Sequence, residues 1–166
     1  MLSAGRLFGP SFVGMRNGRR ALLTVHIVAS VGLLGVVAAD LAINVTAATT
    51  DDPAQAAAYY DLLGTFSFLF GIPLSFISLG TGVVLGRTSK WGVVRHGWVA
   101  AKLALNLSVI LVGAFLLGPG VDAMRNGDGG AETALIAGSA WDVVALSLAA
   151  TLSVYKPRRL ASLSLR

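Results

Sequence analysis

The feature that most constrains this chain is a set of four long apolar runs separated by short polar segments. Each run reaches or exceeds the about 20 residues that a helix needs to cross a hydrocarbon core of ~30 Å. A segment in lipid must satisfy its own backbone hydrogen bonds, so each run is predicted to be a helix. The sequence therefore predicts an all-α membrane protein with transmembrane spans at about residues 21–48, 59–86, 96–118 and 133–155.

The composition supports a lipid-embedded chain. Hydrophobic residues make up 55% of the 166 residues and charged residues only 13%, whereas about a quarter of a soluble protein is charged. A net charge of +5 can indicate a nucleic-acid partner, but here the cationic residues flank the apolar runs and form no continuous patch. The chain has no cysteine, which excludes disulfides and thiolate metal sites. We therefore expect the chain to lie in the lipid bilayer and to have no nucleic-acid partner.

The charges also predict an orientation. All but two of the 13 Lys and Arg lie before the first run, between the second and third, or after the fourth; the exceptions are Arg125 and Lys102. Basic residues collect on the cytoplasmic side of membrane proteins. We therefore expect both termini in the cytoplasm and the chain in the bacterial cytoplasmic membrane. Residues 1–20 are predicted to be a basic cytoplasmic or interfacial segment, 21–155 the four-helix transmembrane domain, and 156–166 a basic tail.

The loops and one proline refine this fold. Short loops make consecutive spans antiparallel, which predicts an up-down-up-down four-helix bundle. Pro73 lies near the middle of the second run. Because proline lacks a backbone N–H, a kink is predicted there.

Polar side chains inside the spans are the candidate functional residues, because lipid makes them costly. At 100° per residue, one face of the first span carries several of them within about 40° of a line. Further polar groups recur on the third and fourth spans. Candidate ligand-binding residues here are His26, Ser30, Lys102 and Asn106, and candidates for a polar path are Asp40, Asn44 and Asp142.

Three interpretations of these residues stay open: mutual pairing that fixes the bundle, a ligand or cofactor cavity, and a proton or ion path. No motif of a soluble enzyme is present. An enzyme that acts on a lipidic substrate, with His26 as base near Lys102, is a further alternative.

The densest chemical cluster lies just before the third span. Arg95, His96 and Trp98 stand there together, with Trp91 close by. Such a cluster suits an anionic lipid or a quinone-like head, and it is also typical of an aromatic and basic belt at the membrane boundary. His26 and His96 could ligate a b-type haem between helices. However, the helical wheel places His96 about 100° from the line of Lys102 and Asn106. No other metal site is predicted.

Three stretches carry a resemblance to a known group of proteins: Leu22–Leu41, Ile72–Gly86 and Lys90–Leu105. They resemble an uncharacterised family of small four-span bacterial membrane proteins, mainly actinobacterial, that is labelled only as a domain of unknown function. The pattern of Trp91, Arg95, His96, Trp98 and Lys102 is its most specific part. The chain departs from the family at Leu33, where members have tryptophan, and at Asp40, where they have an apolar residue. The resemblance implies the topology and no activity.

The resulting hypothesis is a non-enzymatic membrane protein that binds a hydrophobic ligand or cofactor in a polar pocket of the inner leaflet. His26, Lys102 and Asn106 are the expected lining. The chain could instead serve as a subunit of a membrane complex or homo-oligomer. A haem-bearing electron-transfer protein and a proton or ion path are the alternatives.

Overall fold

The computed structural model describes residues 10–88 and 97–155, with side chains from residue 17 onward. Within these residues all regular secondary structure is helical, with turns at 49–52 and 126–131 and no strand. Four helices are long and apolar enough to cross a membrane, and the predicted all-α four-span fold is confirmed. We name them spans one to four: Asn17–Ala48, Pro53–Arg87, Gly97–Arg125 and Glu132–Tyr155.

Two of the spans are interrupted by a short π-helical turn. Span one belongs to the continuous helix α1, Pro10–Ala48, and span four is the helix α6, Glu132–Tyr155. Span two consists of α2 (Pro53–Phe66), the π turn Ser67–Gly71 and α3 (Ile72–Arg87). Span three consists of α4 (Gly97–Val112), the π turn Gly113–Leu117 and α5 (Gly118–Arg125).

A proline follows each π turn and explains it. The N–H of Ile72 donates to the carbonyl of Ser67, five residues back, and Pro73 comes next. The N–H of Gly118 donates to the carbonyl of Gly113 in the same way, before Pro119. A proline ring clashes with the carbonyl four residues earlier, and a wider turn accommodates the misfit. The disturbance predicted at Pro73 thus takes the form of a π turn.

Short connections make neighbouring spans antiparallel at one end of the bundle. Asp52 caps span two by accepting a hydrogen bond from the N–H of Ala54 at 2.9 Å. Between spans three and four, Gly127 and Gly130 adopt φ values of 81° and 100°, which L side chains rarely adopt. Asp61 also lies at this end of the bundle, which we call the acidic end. The opposite end, which carries Arg19, Arg20 and Arg87, is the basic end.

The packing order of the spans positions the polar groups. Span one packs against spans two and four, and span three also packs against spans two and four. The polar face predicted for span one is its buried face, since Leu33, Val37 and Asp40 are all buried. An apolar cluster in the middle of the bundle joins spans one, three and four, and a second cluster at the acidic end joins all four. They consist of Leu33, Val37, Val109, Ala145 and Leu146, and of Ala47, Tyr60, Leu63, Val121 and Leu135.

Candidate functional site

A hydrogen-bonded cluster in the basic half of the bundle contains three of the predicted ligand-binding residues. Ser78 of span two is its centre. The hydroxyl of Ser78 lies 2.9 Å from that of Ser30 and accepts from the Asn106 amide at 3.4 Å. The Nδ1 atom of His26 lies 3.1 Å from the Ser78 carbonyl oxygen and 3.0 Å from the Thr81 hydroxyl. We call these five residues the Ser78 cluster. The side chains of spans one, two and three therefore meet here.

The geometry around His26 defines its tautomer. A carbonyl oxygen can only accept a hydrogen bond, so Nδ1 of His26 carries the proton that it donates to Ser78. The imidazole packs against Gly82, where an added Cβ would lie 3.1 Å from its Cε1 atom. Gly82 thus makes room for the ring between spans one and two.

Of the other residues predicted for this region, Lys102 lies near enough to His26 for its charge to act on the imidazole, and two lie outside the described chain. The ammonium of Lys102 lies 5.6 Å from the ring centroid of Trp98, one helical turn earlier, in a cation–π contact. Arg95 and His96 lie outside the described residues. The haem site of His26 and His96 and the headgroup site before span three therefore stay predictions.

A cavity of about 360 Å³ lies between spans two and three. These spans contact each other at both ends, through α2 with α5 and through α3 with α4. In contrast, no Cα atom of one π turn lies within 8 Å of a Cα atom of the other. Both turns line the cavity, which continues inward to span one and to Asp142 of span four. On its rim, Phe68 and Phe76 are 70% and 60% exposed, so the cavity opens on the surface that faces lipid.

Two predicted path residues, Asp40 and Asp142, share this cavity. Only 7% of Asp40 and 2% of Asp142 is exposed. Ser67, in the first π turn, donates a hydrogen bond of 3.3 Å to Oδ2 of Asp40. The Oδ1 atoms of both carboxyl groups are buried and have no partner among the described residues. Buried polar groups are usually hydrogen-bonded, so two unpartnered carboxyl oxygens in one cavity are the clearest functional signal in the described chain.

The third path residue, Asn44, has a structural contact. Its side-chain amide donates to the hydroxyl of Ser139 at 2.8 Å, and this hydroxyl donates to the carbonyl of Leu135. Asn44 therefore links span one to span four beyond the cavity. The three predicted path residues are therefore divided between the two cavity carboxyl groups and this link.

An ion pair closes the acidic end of the cavity. The guanidinium of Arg125 donates to Asp61 at 2.7 Å and lies 3.7 Å from Asp122. Arg125 reaches span two across Gly64, where an added Cβ would lie 2.8 Å from its Nη1 atom. A side chain at residue 64 would displace the guanidinium, so Gly64 permits the pair. Across the described residues, no three His, Asp or Glu side chains form a group that could hold a metal ion.

Three residues of these sites, Ser78, Thr81 and Ser67, are not among those that the sequence predicts. Ser75, Ser78 and Gly82 recur at helical spacing on one face of span two, and this pattern could have indicated the face that meets His26. Ser67 had no such signal, because its position depends on the π turn.

Comparison with known proteins places the chain in a family. No curated protein and no solved structure matches it. A family model described as "Predicted integral membrane protein (DUF2269)" matches residues 20–156, which include spans two to four in full and span one from residue 20 onward. The predicted resemblance to an uncharacterised membrane family is thereby confirmed. The chain belongs to the DUF2269 family of integral membrane proteins.

Proposed function

We propose that this protein binds a small hydrophobic ligand in the cavity between spans two and three. The observation that carries the proposal is the separation of these spans at their π turns, where a cavity of about 360 Å³ opens toward lipid. Pockets for small molecules typically measure about 300–1,000 Å³ and have mostly apolar walls with a few polar groups. This cavity has apolar walls and a few polar side chains, among them Asp40 and Asp142.

The proposed site differs from the pocket that the sequence predicts. His26, Lys102 and Asn106 do not line the cavity. His26 and Asn106 bond to span two instead, which supports a structural role for the Ser78 cluster. The ligand site accordingly lies nearer the acidic end, which we place on the outer side of the membrane from the distribution of Lys and Arg.

Photocrosslinking from the rim of the cavity tests the proposal. We expect a p-benzoylphenylalanine at Phe76 to capture a discrete ligand in cells. Val28, which is 65% exposed on span one and does not line the cavity, is the matched position. From Val28 we expect bulk phospholipid alone. Mass spectrometry identifies the adducts, and identical adducts at both positions would contradict a ligand site.

Filling the cavity should abolish capture. An added Cβ at Gly113 meets no atom within 4 Å, and this glycine lines the cavity. Gly113→Phe is therefore expected to occupy the cavity and to reduce the specific adduct at least tenfold. Gly35→Phe is the control, since Gly35 is exposed, has equally open space and lies outside the cavity. Equal adduct yields from both variants would count against the site.

A proton path is the second candidate, favoured by the burial of Asp142 without a hydrogen bond among the described residues. Ionisable groups inside membranes commonly mark proton relays. In proteoliposomes this function predicts a proton flux that falls to the level of protein-free vesicles in Asp142→Asn. Asp128→Asn, in an exposed loop, should leave the flux unchanged. The same flux in both variants would exclude Asp142 from such a path.

A further inference from the structure

The two carboxyl groups in the cavity come from different spans. Asp40 lies on span one and Asp142 on span four, and these spans pack against each other. Each carboxyl group is more than nine-tenths buried and has an Oδ1 atom without a partner among the described residues. A buried acceptor without a donor is costly, and more so when it is charged. Each carboxyl group therefore has one oxygen that a hydrogen-bond donor on a ligand could reach.

The described cavity walls offer the carboxyl groups few donors of their own. The hydroxyl of Ser67 already donates to the other oxygen of Asp40. Ser75 donates to the carbonyl of Ile72 in its own helix. Arg125 lines the cavity at its acidic end, where Asp61 and Asp122 hold its guanidinium. The described cavity walls thus leave both Oδ1 atoms open to a donor that enters the cavity from outside.

The form of the cavity indicates an organic cation and not a metal ion. Ca²⁺ takes six to eight oxygen ligands and Mg²⁺ requires a nearly regular octahedron of about six. Two carboxyl groups among apolar walls do not supply such a set. A primary ammonium has three N–H donors and no acceptor, and it attracts carboxylates by its charge. An apolar body attached to it would contact the walls around Val36, Ile110 and Leu117.

From these observations we propose that the cavity binds an amphiphile with a positively charged amine, which Asp40 and Asp142 hold together while the apolar body faces spans two and three. This inference rests on the proposed ligand-binding function and specifies the chemical class of the ligand. Access from the lipid between Phe68 and Phe76 suits such a molecule, because amphiphilic amines partition into bilayers.

Two probes of equal chain length test the charge. Radiolabelled n-octylamine and n-octanol are titrated onto the protein in phosphatidylcholine nanodiscs, with empty nanodiscs subtracted. A hydrogen bond to a charged group contributes enough for about a tenfold to hundredfold difference. We expect octylamine to bind more tightly by this factor.

The variants assign that difference to the carboxyl groups. Asp142→Asn and Asp40→Asn should each reduce octylamine binding to the level of octanol and leave octanol binding unchanged. Asp128→Asn, which removes the same charge from an exposed loop, should keep the preference. Elution as a single species from size exclusion shows that each variant is folded. Asp142→Asn removes a carboxyl group that has no hydrogen bond among the described residues, and Asp40→Asn removes one that accepts a single bond of 3.3 Å, from Ser67, so we expect both variants to remain folded.

The remaining outcomes distinguish a failure of the proposed amine from a failure of the ligand site itself. Equal binding of both probes by the unmodified protein, lost in Gly113→Phe, would keep the ligand site and overturn the amine. Saturable binding of ²²Na⁺ that depends on Asp142, without octylamine binding, would replace the amine by a metal cation. If neither probe responds to Gly113→Phe, the ligand site itself fails together with this inference.

Discussion

Replacing Asp142 by leucine is expected to raise the free energy of unfolding by about 1–4 kcal/mol. Asp142 is 2% exposed, and no hydrogen bond to its carboxyl group is present among the described residues. An aspartate at the centre of a membrane helix costs about 2.5–3.5 kcal/mol on insertion scales, whereas leucine is favourable there. Leucine replaces the two carboxyl oxygens by two somewhat larger methyl groups, and the cavity beside Asp142 gives these room. Most substitutions of buried residues lower the free energy of unfolding, whereas this one is expected to raise it.

Reversible unfolding in mixed micelles, at increasing fractions of sodium dodecyl sulfate, measures this change. Asp128→Leu is the control, and it should change the free energy of unfolding by no more than about 0.5 kcal/mol because Asp128 is exposed. Asp40→Leu should stabilise less than Asp142→Leu, since it also removes the bond from Ser67. A loss of stability in Asp142→Leu would show that an unseen partner holds the carboxyl group.

A gain in stability would bear on function as well. Proteins commonly keep destabilising groups where the activity needs them, and removing such a group raises stability and reduces function. A variant Asp142→Leu that is more stable but no longer prefers octylamine would identify the carboxyl group as functional. A more stable variant with unchanged binding would leave Asp142 without a role in the ligand site.

The sequence predicted the buried face of span one because helical periodicity alone defines it. Leu33, Val37 and Asp40 lie on one line of a helical wheel, and the structure buries all three. The number of spans followed in the same way from the length of the apolar runs. These are properties of a single helix and its solvent, so they need no knowledge of neighbouring helices.

The cavity could not be predicted, because it depends on which spans are neighbours and on where their helices widen. Asp40 and Asp142 meet only because span one packs against span four. The sequence does not predict the π turn before Pro119, because the third apolar run ends at residue 118 and leaves this proline outside it. Lys102 and Asn106 share one line of the third run, but Lys102 contacts Trp98 and acts by its charge on His26, while Asn106 bonds to Ser78. A long side chain can reach several partners, and the spacing of residues along the helix does not determine which of them it contacts.

The hydrogen bonds of the Ser78 cluster lead to the second large effect. Ser78→Ala is expected to lower the free energy of unfolding by about 1–3 kcal/mol, because it removes the shared partner of Ser30 and Asn106. Ser75→Ala is the matched control. Ser75 is similarly buried on the same span, but its hydroxyl donates only within its own helix, to Ile72. We expect Ser75→Ala to lower the free energy of unfolding by less than about 0.5 kcal/mol.

Stability and octylamine binding of Ser78→Ala together decide whether the Ser78 cluster is structural or binds a ligand. A structural cluster predicts that Ser78→Ala unfolds at a lower detergent fraction yet binds octylamine as the unmodified protein does, because none of its polar groups lines the cavity. A double variant with Asn106→Ala should then lose less than the sum of the two single losses, since both break one contact. If Ser78→Ala instead keeps full stability and loses ligand binding, the site belongs with His26 in the basic half of the bundle, and Asp40 and Asp142 no longer define it.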